Sequence, residues 1–240
     1  MAFALTWDAV GHKLFETGTD RGVLFPFDAS TQQYGSAVAW NGLTGFTDNP
    51  SGADETKLWA DNIKYVSMRA AEEYGGTITA YTYPDEFAEC DGSAYENGVL
   101  IGQQNRKSFG FACRTLVGND TELNDYSYKI HLVYGASVSP SSKDYKTVND
   151  SPDAVEFSWE FTTTPIEVGN GYKPTSHIVI DVGRIKAMAD GDAKSALLDA
   201  VSQLETKLYG TAAEGSTPAV AGSLPAPSWV LEKFQIVGAG

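Results

Sequence analysis

At 240 residues the chain is long enough to bury a sizeable core as one domain, and 42% hydrophobic with 12% aromatic residues excludes disorder as its main state. The formal charge of −14, from 31 acidic against 17 basic residues, is opposite to what a surface gripping nucleic-acid phosphates needs. No apolar run approaches the ~20 residues of a membrane-spanning helix, and Met1 to Asp8 lacks the basic and apolar regions of a signal peptide, so a soluble protein retained in the cell where it is made is expected.

Twenty-four glycines, ten prolines and frequent Ser/Thr runs favour short strands joined by turns. Near the start, Val10, Leu14 and Phe15 fit one side of a helical turn. Gly22–Phe27 reads as the first strand, with Pro26 marking an edge or an end. Ala37–Thr44 reads as the next, its apolar face supplied by Val38, Trp40 and Leu43. The stretch from Gly45 to Ala60 is rich in turn formers and reads as a long loop. It is either a solvated hairpin tip or an extended loop reaching a neighbouring molecule. Leu58 and Trp59 favour the second, because apolar side chains beside a mobile tip are costly to leave in water. Asp48, Asn49, Pro50, Leu58 and Trp59 are the contact residues this reading selects.

Asn62–Met68 and Thr77–Tyr83 are strand-like, joined by Glu72-Glu-Tyr-Gly-Gly76 and followed by an acidic turn opened by Pro84. Ser108–Leu116 and Tyr126–Tyr134 are strong strands. In the second, Tyr126, Tyr128, Ile130, Leu132 and Tyr134 share one face, and Ser127, Lys129, His131 and Val133 the other, the pattern of a half-buried antiparallel strand. Ala154–Thr164 alternates likewise, with Val155, Phe157, Trp159 and Phe161 on one face. Ser176–Asp181 is a shorter strand. Seven or eight strands suffice for two packed antiparallel sheets, a mainly β fold of β-sandwich type.

One helix is expected near 192–208, with Asp192 as N-cap, Leu197, Val201, Leu204 and Leu208 as its buried stripe, and Gly210 as its stop. Its polar face is not basic, which argues against a membrane role. Thr211–Ser228 is dominated by Ala, Gly, Ser, Thr and Pro and reads as a flexible linker. The apolar segment Trp229–Val237 beyond it needs burial, against another subunit or back on its own domain. The expected organisation is therefore a domain over 1–210, including an N-terminal arm, followed by a linker and C-terminal arm over 211–240. Leu224, Pro225, Trp229 and Phe234 are the arm's contact residues.

Asp85, Glu86, Glu89 and Asp91 are the best acid–base or calcium candidates, though their spacing departs from the EF-hand loop and acidic turns after strands are common. Cys113 and His131 fall in strands able to be neighbours, but no nucleophile signature surrounds either. His12, His131 and His177 are scattered without zinc-ligand spacing. Cys90 and Cys113 are too few to form a disulfide framework and read as reduced thiols. No phosphate-binding loop or nucleophile elbow occurs. Asn119-Asp-Thr and Asn149-Asp-Ser match glycosylation acceptors without the export signal that gives them meaning. Arg106-Lys107, Lys129 and Lys143 to Lys146 stand isolated among acids. No catalytic residue, metal or cofactor is expected.

Ala60-Asp-Asn-Ile-Lys-Tyr65, Glu72-Glu-Tyr-Gly75 and the run from Thr77-Ile-Thr-Ala-Tyr-Thr-Tyr-Pro84 through Asp85-Glu-Phe-Ala-Glu-Cys-Asp-Gly-Ser93 occur in one order. Arg114–Thr121, Lys129–Gly135, Asn149–Pro152, Phe157–Glu160 and the Leu224-Pro-Ala-Pro227 step before an apolar tail continue the pattern. In this the chain resembles the major tail protein (tail tube protein) family of siphophages, notably those infecting Gram-positive bacteria. The likeness is a long pattern without a short hallmark, and the Asp181–Asp192 stretch looks longer than the family's. It implies a tail-tube-type β-sandwich with one flanking α-helix, a long inter-strand loop and extended terminal arms. It further implies a non-enzymatic virion protein, assembled in the bacterial host cytoplasm, whose hexameric rings stack into a hollow tube for DNA ejection. The implied partners are further copies of the chain, the tape measure, tail terminator and distal tail proteins, and viral DNA passing without sequence-specific binding. The acidic surplus suits a channel wall that DNA does not stick to. A carbohydrate-binding or glycosidase-like β-sandwich would also account for the Trp, Tyr and paired acids. A surface-layer or pilin-like polymer would require an export signal.

Overall fold

The computed structural model describes residues 7–145, 147, 154–215 and 217–236. Most of the Met1–Asp8 start, Lys146, the Asn149–Pro152 stretch and Val237 lie outside them. Strand accounts for 46% of the chain and helix for 15%, so the protein is mainly β.

The strands in chain order are β1 (Phe15–Asp28), β2 (Gln33–Tyr34), β3 (Val38–Trp40), β4 (Leu43–Asp48), β5 (Ser51–Gly52), β6 (Glu55–Ala60), β7 (Ile63–Arg69), β8 (Glu72–Glu73) and β9 (Gly75–Ala80). They continue with β10 (Ser93–Glu96), β11 (Val99–Gly102), β12 (Phe109–Asn119), β13 (Leu123–Val138), β14 (Phe157–Thr163) and β15 (His177–Asp181). Helices α1 (Val182–Lys186), α2 (Asp192–Tyr209) and α3 (Pro227–Lys233) follow.

A nine-stranded antiparallel sheet forms the body, in the order β2-β1-β12-β13-β14-β9-β4, with β3 also on β1 and β15 also on β13. β3 pairs with β1 and β4 with β9, at opposite ends of this order. Only Asn41 and Gly42 separate β3 from β4, so the sheet rolls over on itself at that corner. Gly42 sits at φ 73°, and a Cβ there would lie 2.9 Å from Thr82 Cγ2. The two facing layers expected from the alternating sequence are thus halves of one folded sheet. Ala37–Thr44, read as one strand, is two strands divided by this turn. The start of β1 likewise replaces the expected helical turn, with Phe15 pairing with Gly118.

Long β13 divides the body. Its first half pairs with β15 from Lys129 to Val133 and its second with β14 from Ala136 to Val138. Inside the fold, Leu24, Trp40, Ile78, Phe87, Phe109, Phe111, Val133, Trp159 and Phe161 form one core. The opposite face of the same strands, with Val23, Phe25, Ala112, Ile130, Leu132, Tyr134 and Ile180, is covered by Val182 and Ile185 of α1, Val201, Leu204 and Leu208 of α2, and Val230 of α3. β13 is therefore buried on both faces, not on one, because three helices cover its outer side.

α2 has the expected buried stripe, with Leu197 packed beside it. Gly191 occupies the N-cap position, in place of Asp192, and makes no side-chain capping bond. After α2 the chain is held by backbone hydrogen bonds and does not trail as a free linker. Ser223 N–H donates to Lys207 O at 2.7 Å, and Ala37 N–H donates to Gly222 O at 2.9 Å. A Cβ at Gly222 would lie 2.1 Å from Leu208 O and 2.8 Å from Ala37 Cβ, so only glycine fits this crossing. Gly222→Ala is expected to cost about 1–3 kcal/mol in a urea melt, the range for overpacking a close contact. A loss within error of zero would show that the crossing has room to give.

Candidate assembly surfaces

Between Asp48 and Gly75 the chain leaves the body as a two-stranded ribbon. β5 pairs with β8 and β6 with β7. The expected Gly45–Ala60 loop is instead the end of β4, still paired with β9 in the body, followed by the rising half of this arm. Its turn residues are Asp61 and Asn62, at φ 51° and 62°, the paired left-handed geometry of a tight hairpin. At full strand rise the 13 residues from Asn49 to Asp61 reach roughly 40 Å. Every residue of β6 and β7 is exposed.

The arm is amphipathic. Thr56 faces Met68, Leu58 faces Val66, and Ala60 faces Ile63. On the other face Glu55 takes Lys64 Nζ at 2.7 Å, Lys57 Nζ at 3.6 Å and the Ser67 hydroxyl, whose hydrogen bonds hold its carboxyl below the usual range. Leu58, Ile63, Val66 and Met68 thus form an apolar strip on a ribbon that has no core of its own. Trp59 and Tyr65 beside it are 68% and 73% exposed.

The sequence-selected residues divide between the two ends of the arm. Leu58 and Trp59 lie near its tip. Asp48, Asn49 and Pro50 lie at its root, where Asn49 N–H donates to Gly75 O at 2.9 Å and Tyr74 Oη donates to the Asp48 carboxylate. The C-terminal set packs on its own domain. Leu224 and Pro225 are buried, Pro225 O accepts from Tyr134 Oη at 3.0 Å, and Trp229 and Phe234 pack against the helix-covered core.

A second hairpin, β10 with β11, escaped the sequence reading. Asn97-Gly98 at its turn takes φ 50° and 82°, and this dipeptide between two short strand-like runs is the signal that was there to be read. Tyr95, Val99, Leu100 and Ile101 on it are exposed. A free edge completes the set: among the described residues β15 pairs only with β13.

The residues weighed for chemistry are differently placed. Asp91 is buried, with Lys143 Nζ at 2.7 Å and Arg106 at 3.5 Å, and Glu89 is paired with Lys107 at 2.6 Å. Asp85 and Glu86 are adjacent and exposed on one 3-10 turn, whose third residue, Phe87, is buried in the core. Lys129 pairs with Glu16, so the basic residues named from sequence are taken up by acids, Lys146 lying outside the described residues. Cys90 and Cys113 are free and buried, and burial pushes the Cys90 thiol up to about 12 and the Cys113 thiol upward too, away from nucleophilic use. Cys113 and His131 are cross-strand partners, as their strands allowed.

Fold and surface together define a mainly β domain that projects one amphipathic β-hairpin and a second exposed one from a filled body. No protein-family model and no curated protein matches the sequence. Among solved structures the chain is similar to one in the sheath–tube complex of an extracellular contractile injection system, PVC, in its extended state. The likeness is distant: 14% identity over 67% of this chain and 88% of that one, with a TM-score of 0.32. Among the described residues no helix is long and apolar enough to cross a membrane.

Proposed function

We propose that the chain is a structural subunit of a phage tail tube, of the long non-contractile type, in which hexameric rings stack into a hollow conduit for DNA. The observation that carries this reading is the arm: Leu58, Ile63, Val66 and Met68 form an apolar face that stands exposed among the described residues. An isolated two-stranded ribbon is at best marginally stable in water, and an apolar face in search of cover favours a partner. The sequence resemblance to siphophage major tail proteins supports the choice of partner, a second copy of the chain. In this reading the free β15 edge continues the sheet between neighbours, a use of an exposed edge that a closed ring makes safe. The negative charge of −14 suits a conduit that repels the DNA it passes. Tape measure, terminator and distal tail proteins are the further partners, the virion is its location, and no catalytic role is assigned.

Electron microscopy of the concentrated full-length chain, alone and with its cognate tail-initiation complex, tests the proposal. Six-fold rings or hollow tubes are the expected result. A chain that stays monomeric under both conditions overturns it.

A further inference from the structure

Three residues far apart in sequence meet where the arm joins the body. His131 of β13 and His177 of β15 lie on neighbouring strands, with Nδ1 of the first 3.2 Å from Nε2 of the second. A carboxylate oxygen of Asp48, at the end of β4, completes a group whose three ligand atoms all fall within 4.8 Å of one another. Among the described residues it is the one grouping of three or more His, Cys, Asp or Glu side chains with this geometry.

We infer that Asp48, His131 and His177 form a binding site for a divalent transition-metal ion of the zinc class, which fastens the root of the arm to the fork of the sheet. Two imidazole nitrogens bound to one zinc at ~2.0–2.1 Å and a tetrahedral angle stand ~3.3 Å apart, close to the separation found. Two imidazoles and one carboxylate are a donor set that zinc accepts, with a fourth position left for water.

The surroundings fit ligands more than chance neighbours. His131 Nε2 lies 3.0 Å from Thr115 Oγ1. With Nε2–H donating to that hydroxyl, the lone pair on Nδ1 is turned toward His177, the outer hydrogen bond that ligating histidines ordinarily make. Tyr74 donates to the Asp48 carboxylate and stacks on the His177 ring at 4.4 Å between centroids. Phe46 closes on both imidazoles, with centroids at 5.6 and 6.5 Å. His131 is buried and His177 half-buried, while Asp48 is exposed, which gives an ion a route in from water.

The site ties elements that are not neighbours in the sheet, since β4 pairs with β9 and not with β13 or β15. Asp48 is the last residue of β4 before the arm, and Tyr74 is the first residue after its return strand β8. His131 lies in the middle of the β13 stretch that pairs with β15, and His177 opposite Val133 at its end, before β13 passes to β14 at Ala136. An ion bound by all three fixes where the arm leaves the body. The inference concerns the free chain and does not depend on tube assembly.

The test is calorimetric titration of Zn2+ into the tag-free, chelator-stripped full chain, repeated with Co2+ and read by its visible absorption. One ion per chain is expected, with the cobalt spectrum of a low-coordinate site. His177→Ala and Asp48→Asn should each abolish it, Thr115→Val should weaken it about 10–100-fold, and the exposed His12→Ala should leave it unchanged. If His177→Ala fails to fold, Asp48→Asn at the exposed ligand carries the decision. No stoichiometric binding, or binding that survives Asp48→Asn unchanged, overturns the site. Zn2+ should also slow tryptic cleavage at Lys57, Lys64 and Arg69, and binding without that protection overturns the fastening role.

Discussion

Val66→Glu is expected to abolish tube formation while leaving the monomer's unfolding midpoint within a few degrees of the parent. Val66 faces Leu58 at the centre of the arm's apolar strip and touches neither core of the body. In the free chain it is already 39% exposed, so a carboxylate there meets water and costs little. In an assembled contact the same carboxylate must be desolvated without a partner, a penalty of at least about 3 kcal/mol. That weakens each contact by roughly 100-fold or more, and a tube repeats the contact at every subunit. The paired measurement is the critical concentration for assembly by light scattering and the monomer's melt by circular dichroism. Lys57→Gln, on the polar face, is the control and should assemble. If Val66→Glu assembles at the parent's concentration, the strip is not an interface and the central observation behind the proposed function is lost.

Period-two alternation makes β13 and β14 legible, because successive side chains of a strand point to opposite faces. What lay against the other face did not show. Ser127 and His131 are polar yet buried, Ser127 because Gly183 of α1 comes down on it and His131 because Phe46 of the rolled sheet closes on it, and no local window contains either neighbour. The returning strand of the arm, Asn62–Met68, is legible as a strand, whereas its rising half reads as a loop for a related reason. Glu55–Ala60 has no core to face, so its pattern of Thr56, Leu58 and Ala60 against Glu55, Lys57 and Trp59 is thin, and the Asp61-Asn62 turn that pairs it with β7 is a weaker signal than Asn-Gly. Pro225 and Pro227 sit in a stretch whose composition suggests a linker, but they are buried where the chain crosses back over the end of α2. The Asp48–His131–His177 group was out of reach altogether. Its members come from three strands, and only the register that sets His131 opposite Val179 and His177 opposite Val133 brings the two imidazoles together.

Trp159→Ala is expected to remove about 3–5 kcal/mol of stability, the range for deleting a large aromatic from a core. Trp159 is fully buried, and its ring meets Phe87 at 5.1 Å, Tyr83 at 5.4 Å and Trp40 at 5.6 Å between centroids. Those partners come from the 3-10 turn, the segment before it and β3, so the indole joins both layers of the rolled sheet and the turn that plugs it. Their edge-to-face geometry adds to the area they bury, and rings from three separate elements cannot all close on the space the indole leaves. Against a typical total of about 5–15 kcal/mol, the loss removes a large share of the fold's stability. Trp159→Phe should behave differently. The indole N–H finds no hydrogen-bond partner among the described residues, so phenylalanine removes an unmet donor as well as volume, and the two effects oppose. Its expected cost is below about 1.5 kcal/mol. Urea melts of the two variants separate the cavity from the donor. An alanine variant that loses less than the phenylalanine one would mean that the aromatic cluster does not hold the layers together.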